Sequence, residues 1–228
     1  MPSEALHQEA SLEQGLIALS IGLPRLLQEK LLAYTALLYK WNRTYNLTAL
    51  REPSLAVSHH LLDSLAILPY LKQGAKKGGE ADTLLDVGSG GGLPGIPLAI
   101  ACPNLRVTLL DSNSKKTAFL QQAAIELNLP NIAVHCGRVE QFRPPAKFSA
   151  ITSRAFSELA DFVALSRHLL HTDGRWLAMK GLWPQEEIAR LPAYVAVQAV
   201  HRLDVPGVDG ERHLVLMGNI DAQRCEGS

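Results

Sequence analysis

Apolar residues recur at two different spacings along the chain, and the change of spacing divides it into two parts. From about residue 4 to residue 70 the spacing is that of helices. In the helix that follows Pro24, one apolar stripe is formed by Leu27, Leu31, Tyr34, Leu38 and Trp41. We expect this helix to end near Asn42, and a second helical block, 55–68, to be halted around Pro69.

The second part alternates short apolar runs with helical patterns, which predicts parallel strands with helices on both faces of a sheet. The runs predicted as parallel strands are 84–87, 107–111, 132–136, 148–153 and 176–179. Two further runs, 195–203 and 213–217, have only turn-prone residues between them and predict a β-hairpin. The pattern therefore predicts an α/β fold with a mainly parallel, seven-stranded sheet that ends in an antiparallel hairpin.

The polar, glycine-containing segment 72–82 is the one plausible domain boundary. It divides the chain into an N-terminal helical extension, 1–72, packed on the core, and a Rossmann-like domain, 83–220. With 228 residues, 47% of them hydrophobic, the chain can bury one main core and a small appendage.

The first predicted strand ends in an acid and runs into glycines, and the second ends in another acid. From Asp86 to Gly92 the sequence reads D-x-G-x-G-x-G, and Asp111 lies 23 residues after Gly88. Glycines allow positive φ and close contact with a ligand, and the amides of the following helix face a polar group. A carboxylate at the end of the next strand can accept ribose hydroxyls. These features predict an adenosyl cofactor.

A dinucleotide is the main competing ligand, and one position argues against it. The third glycine of the dinucleotide fingerprint leaves room for a pyrophosphate, and here Leu93 stands in its place. Asp86 suits an amine-bearing ligand such as the methionine part of S-adenosylmethionine. A methyl donor is therefore favoured over a hydride carrier, although the glycines taken alone also fit a plain structural turn.

Charge, hydropathy and cysteines narrow the class of protein. The 22 basic and 22 acidic residues cancel, so any recognition of phosphate must come from a local patch. We expect a soluble, cytoplasmic protein, because no apolar run reaches the length of a membrane span and the N-terminus is not signal-like. The widely spaced Cys102, Cys136 and Cys225 predict reduced thiols and no metal site.

Several motifs, taken in order, match one family. They include HLLDS at 60–64, the glycine segment 86–97, SRAF at 153–156, MKG at 179–181 and DGERHL at 209–214, with further blocks at 41–42, 45–48, 109–112, 119–120 and 138–140. On these blocks the chain resembles the RsmG (GidB) family of 16S rRNA guanine-N7 methyltransferases. The resemblance implies a class I S-adenosylmethionine-dependent methyltransferase fold. It also implies methylation of guanine 527, in the 530 loop of 16S rRNA.

The resemblance and the loop pattern together give two sets of candidate site residues. The residues assigned to the cofactor are Asp86, Gly88, Ser89, Gly90, Leu93, Asp111, Ser112, Val139, Glu140 and Arg154. Those assigned to the RNA are Arg154, Lys180, Asn46 and Arg212. Phe156 is either a base-stacking residue or part of the core.

The predicted reaction needs no general base, because guanine N7 carries an in-plane lone pair and no hydrogen. Catalysis is then expected to come from aligning nucleophile, methyl carbon and sulfur. In agreement with this, the fourth strand is not followed by N/D-P-P-Y, the motif of enzymes that methylate exocyclic amines. No residue is assigned a catalytic role.

Three functions stay open from the sequence. The first is an rRNA methyltransferase that acts as a monomer on 16S rRNA or the small ribosomal subunit. The others are a methyltransferase for small molecules, which the zero net charge permits, and a non-catalytic ribosome-assembly factor with a vestigial pocket.

Overall fold

A computed structural model describes residues 2–72, 82–154, 156 and 158–220 of the chain. The helices are α1 (Pro2–Ala18), α2 (Arg25–Tyr45), α3 (Asp63–Leu65), α4 (Leu68–Lys72), α5 (Gly95–Ala101), α6 (Ser114–Glu126), α7 (Leu159–Ser166) and α8 (Gln185–Ala189). The strands are β1 (Thr83–Val87), β2 (Arg106–Asp111), β3 (Ile132–Cys136), β4 (Phe148–Ser153), β5 (Leu170–Lys180), β6 (Val195–Arg202) and β7 (His213–Asn219). None of these helices is long and apolar enough to cross a membrane.

The seven strands form one sheet in the order β3-β2-β1-β4-β5-β7-β6. The first five pair in parallel, whereas β7 pairs antiparallel with both β5 and β6. This arrangement confirms the predicted fold class. The strand order reverses between β1 and β4, and ligands of open α/β sheets bind at such a switch point, beyond the carboxyl ends of the strands.

The predicted bounds of β3 and β4 agree with the structure, but β5 begins at Leu170, six residues before the predicted start. Leu170 pairs with Phe148, and the register then shifts before Ala150 pairs with Arg175. The polar residues and the glycine of this first half interrupt the apolar run, so the sequence pattern does not reveal it.

Helix α2 joins the helical extension to the sheet domain. Its stripe residues Leu31, Tyr34 and Leu38 are fully buried in the core that also includes β1 and β2. The helix passes the predicted end at Asn42, whose buried side chain accepts a hydrogen bond from the Thr48 amide at 2.9 Å. It ends instead before Asn46, which has a left-handed φ of 49°.

The second helical block is not one helix. A π-helical stretch, Val57–Leu62, runs into the single turn of α3, and α4 starts afresh at Leu68. The prediction that Pro69 halts the block is wrong, because Pro69 is the second residue of α4, where its missing amide costs no helical hydrogen bond. Residues 73–81 of the predicted boundary segment lie outside the described residues, so the domain division stays a prediction.

We predict that Leu12→Ala lowers the free energy of unfolding by about 2–5 kcal/mol, because the fully buried Leu12 joins α1 to the main core. Leu6→Ala, in the same helix at 65% exposure, should change it by less than about 0.5 kcal/mol. Urea unfolding of the two variants checks this. Equal losses would mean that α1 does not share the core in solution.

Candidate active site

A cavity of about 570 Å³ opens beyond the carboxyl ends of β1 and β4. Its walls come from distant parts of the chain: the glycine loop after β1, the segment 47–50 after α2, the π-helical stretch, the ends of β4 and β5, and the start of β7. The cavity therefore lies at the switch point of the sheet.

The glycine loop forms the floor of this cavity. Gly88 and Gly90 have φ values of +71° and +58°, a conformation that L side chains rarely adopt. A Cβ added at Gly88 would meet no atom within 4 Å, so it would project into open space. The loop is held by a buried hydrogen bond of 2.6 Å from the Tyr34 hydroxyl to the Gly91 carbonyl. The predicted loop residues Gly88, Ser89, Gly90 and Leu93 all line the cavity.

Asp86 lies beneath the loop and outside the set of residues that line the cavity. Its side chain is fully buried, and Oδ2 accepts a hydrogen bond of 3.0 Å from the Gly95 amide. Oδ1 has no hydrogen-bond partner within the described part of the chain. Burial raises the pKa of Asp86 to about 7. The structure thus gives Asp86 a supporting role under the cradle instead of the ligand contact that was predicted.

Asp111 ties the loop to β2. Its Oδ2 accepts from the Gly90 amide and its Oδ1 from the Asn113 amide, both at 2.9 Å. A carboxylate has about four acceptor sites, so each oxygen can still accept one ribose hydroxyl. The predicted contact with ribose stays a prediction.

Three further residues assigned to the cofactor, Ser112, Val139 and Glu140, are not among the residues that line the cavity. The Gly137 amide donates to the Asp111 carbonyl at 3.0 Å and so keeps the segment after β3 next to the loop. Ser112 and Glu140 are exposed there, whereas Val139 is buried against the core. Their contact with the cofactor stays a prediction.

Asp63 brings two arginines together at the cavity. Its carboxylate is only 4% exposed, with Oδ2 at 3.1 Å from Arg154 Nη1 and Oδ1 at 3.1 Å from Arg212 Nε. The arginines are 91 and 149 residues away from Asp63 in sequence. Arg154 also donates to the carbonyl of His59 at 3.2 Å. Both arginine side chains are about 30% exposed and line the cavity, where their other N–H groups can reach a ligand.

The other residues assigned to RNA are placed less favourably. Lys180 lines the cavity, but its Nζ lies 2.7 Å from Glu187 Oε2 and donates to the Phe156 carbonyl at 3.1 Å. Asn46 is exposed outside the cavity, and its Oδ1 accepts from Arg51 at 3.2 Å. The ring of Phe156 packs against Phe162, 5.5 Å between centroids, which favours the interpretation of Phe156 as part of the core.

His60 also lines the cavity, although its only signal in the sequence is its place in the HLLDS motif. Its Nε2 lies 3.1 Å from the Thr48 hydroxyl. Burial, with a smaller contribution from Arg154, lowers the pKa of His60 to about 4, so the ring is neutral at pH 7. No group of three metal-binding side chains occurs among the residues that the structure covers.

Comparison with known proteins identifies relatives over most of the chain. The family model described as rRNA small subunit methyltransferase G matches residues 27–215. A protein of this name from Chromobacterium violaceum is 56% identical over 91% of this chain and 96% of its own length. Another, from Neisseria gonorrhoeae, is 53% identical over 93% of this chain and 99% of its own length.

Solved structures support the fold alone, because their sequences are distant. A SAM-dependent methyltransferase from Aquifex aeolicus has a TM-score of 0.56 at 17% identity, covering 75% of this chain and 96% of its own. TrmN from Thermus thermophilus has a TM-score of 0.52 at 18% identity, covering 72% of this chain and 53% of its own.

We predict that Asp86 makes the protein less stable as the pH rises from about 4 to about 7. In this interval the Asp86 carboxyl is protonated in the folded state and ionised in the unfolded state. The free energy of unfolding therefore falls by about 1.4 kcal/mol per pH unit.

Asp86→Asn is neutral, keeps an acceptor for the Gly95 amide, and should remove this dependence. Urea unfolding of both proteins between pH 4.5 and 8 gives the difference in stability, from which titrations common to both cancel. A difference that does not change with pH would show that the buried carboxyl is ionised throughout.

Proposed function

Because this chain belongs to the rRNA small subunit methyltransferase G family, we propose that it transfers a methyl group from S-adenosylmethionine to N7 of guanine 527, in the 530 loop of 16S rRNA. The observation that carries the proposal is that a glycine loop and a group of cationic side chains meet at the switch point of the sheet. A glycine cradle suited to a nucleoside forms the floor of a cavity whose charged lining residues are mostly cationic.

The cradle fits the donor in shape and in polar groups. Open space over Gly88 leaves room for a ligand in contact with the backbone. Asp111 lies where the next strand ends, so its unused acceptor sites suit the ribose hydroxyls, and the segment with Val139 and Glu140 would flank the adenine. When bound, the donor supplies a sulfonium methyl, which is reactive towards nucleophiles without a metal or a base.

The charge of the cavity suits RNA as the methyl acceptor. Four cations line it, Lys116, Arg154, Lys180 and Arg212, against the single carboxylate of Asp63 among the described lining residues. The whole chain has no net charge, so this local excess supplies the patch that phosphate recognition requires. A-form RNA hides N7 in its deep groove, so the guanine must be unpaired or exposed when it enters.

The side chains around the cavity suit a transfer that moves positive charge from sulfur to the purine. His60 is neutral at pH 7, so it adds no cation against N7. The carboxylate of Asp63 offsets charge on Arg154 and Arg212, which keeps these arginines available to orient the base and its phosphates without opposing the product charge. The chain then contributes alignment and electrostatics and no proton transfer.

The proposal predicts that a labelled methyl donor marks 16S rRNA, naked or within small subunits, at one guanine. Mapping by mass spectrometry and by cleavage specific for 7-methylguanosine identifies the position. Label found only in a metabolite extract would establish the small-molecule alternative, and no label in any substrate would favour the assembly-factor alternative.

Asp63→Asn separates positioning from simple electrostatics. The substitution makes the cavity more positive, so bulk attraction alone would strengthen RNA binding. We expect instead that kcat/KM for the RNA falls by about tenfold or more, because charge-assisted hydrogen bonds that fix both arginines are lost.

Glu211→Gln is the matched control, since it removes one carboxylate near the cavity that holds neither arginine by its side chain. Its kcat/KM should stay equal or rise slightly. A gain in the Asp63 variant equal to that of the control would reject the positioning role.

A further inference from the structure

We propose that Leu182 and Trp183 form a platform at the rim of the cavity on which an unpaired RNA base stacks beside the target guanine. This inference rests on the proposed function, since it assumes that the substrate is RNA. It adds a binding site for a nucleotide other than the one that is methylated.

Both side chains are exposed to solvent, although packing of the fold does not require this exposure. Leu182 is 77% and Trp183 52% exposed, and they are the one consecutive pair among the large exposed hydrophobic residues of the described chain. The other two tryptophans are used in packing: Trp176 is fully buried and donates to Ser166 at 2.9 Å, and Trp41 packs on Phe119, 5.7 Å between centroids. An adjacent exposed aliphatic and aromatic pair is typical of a binding surface.

The pair is placed at the cavity by its neighbours. Lys180 and Gly181, which immediately precede it, line the cavity. The ring of Trp183 meets the ring of His213 nearly at a right angle, 84° with 5.5 Å between centroids. His213 is buried, and its Nδ1 lies 3.1 Å from the Gly181 carbonyl. This contact holds the indole in position and leaves about half of it open to solvent, so little conformational freedom is lost on stacking.

Charge on the same rim favours RNA over a protein as the occupant. Arg212 directly precedes His213 and lines the cavity, so the segment that contacts Trp183 also carries a cation. Glu211 is the nearby acid, with its carboxylate 4.0 Å from His213 Nε2. Sites for single-stranded RNA combine cations that hold phosphates with aromatic rings that stack bases. The rim supplies both groups: Trp183 follows β5, Arg212 precedes β7, and the contact of Trp183 with His213 joins the two segments.

The first test compares Trp183→Ala and Trp183→Phe in methyl transfer to 16S rRNA. Loss of one stacked base should raise KM for RNA about tenfold in the Ala variant, and the Phe variant should recover most of the loss. The affinity for the methyl donor, measured by calorimetry, should not change. Ile125→Ala is the control, because Ile125 is 74% exposed near the far end of α6 and should leave KM unaltered.

The second test observes the ring directly. With 5-fluorotryptophan incorporated, the three tryptophans give three ¹⁹F resonances, and the one absent from Trp183→Phe belongs to Trp183. A synthetic RNA hairpin that carries the mapped guanine should shift this resonance and leave the buried Trp176 unchanged. An unaltered KM in Trp183→Ala, or a resonance that only ribosomal protein shifts, would overturn the platform.

The two proposals fail in different ways. Absence of label from rRNA with the unaltered protein would reject the proposed function itself. Normal rRNA methylation with an unaltered KM in Trp183→Ala would reject the platform and leave the function intact.

Discussion

The ion pairs of Asp63 with Arg154 and Arg212 hold the cavity together. Asp63 belongs to the helical extension, Arg154 follows β4 and Arg212 precedes β7, so one buried carboxylate fixes three separate walls. Loss of the arginine partners would destabilise the folded protein, because it would leave the charge of the buried carboxylate uncompensated. The extension is therefore part of the site as well as of the core, and the wall it provides cannot shift without affecting both arginines.

The acids at the ends of the first two strands both accept hydrogen bonds from backbone amides. Asp86 holds the start of α5 from below, and Asp111 accepts from two amides, one of them in the loop. Tyr34 of α2 holds the loop from a third side. The cradle is shaped before a ligand arrives, which lowers the cost of ordering it on binding.

Sequence patterns predicted the strands, the hairpin and the glycine loop, because these depend on local periodicity and on short motifs. They did not predict that Asp63, Arg154 and Arg212 form one cluster, since these residues are up to 149 positions apart and only the fold brings them together. The same limit explains Lys180, which the sequence assigns to the RNA although Glu187 in α8 lies 2.7 Å from its ammonium. The burial of Asp86 was also hidden, because an acid at the end of a strand has the same pattern whether it faces a ligand or the first turn of a helix.

The position of β7 between β5 and β6 has a consequence for biosynthesis. A ribosome makes the strands in numerical order, so β6 emerges before the strand that must separate it from β5. Arg212 lies immediately before β7 and His213 at its start, and both line the cavity. The nascent polypeptide thus acquires the last wall of the cavity only in the final stage of sheet assembly, so partly synthesised copies still attached to a translating ribosome lack a complete cavity.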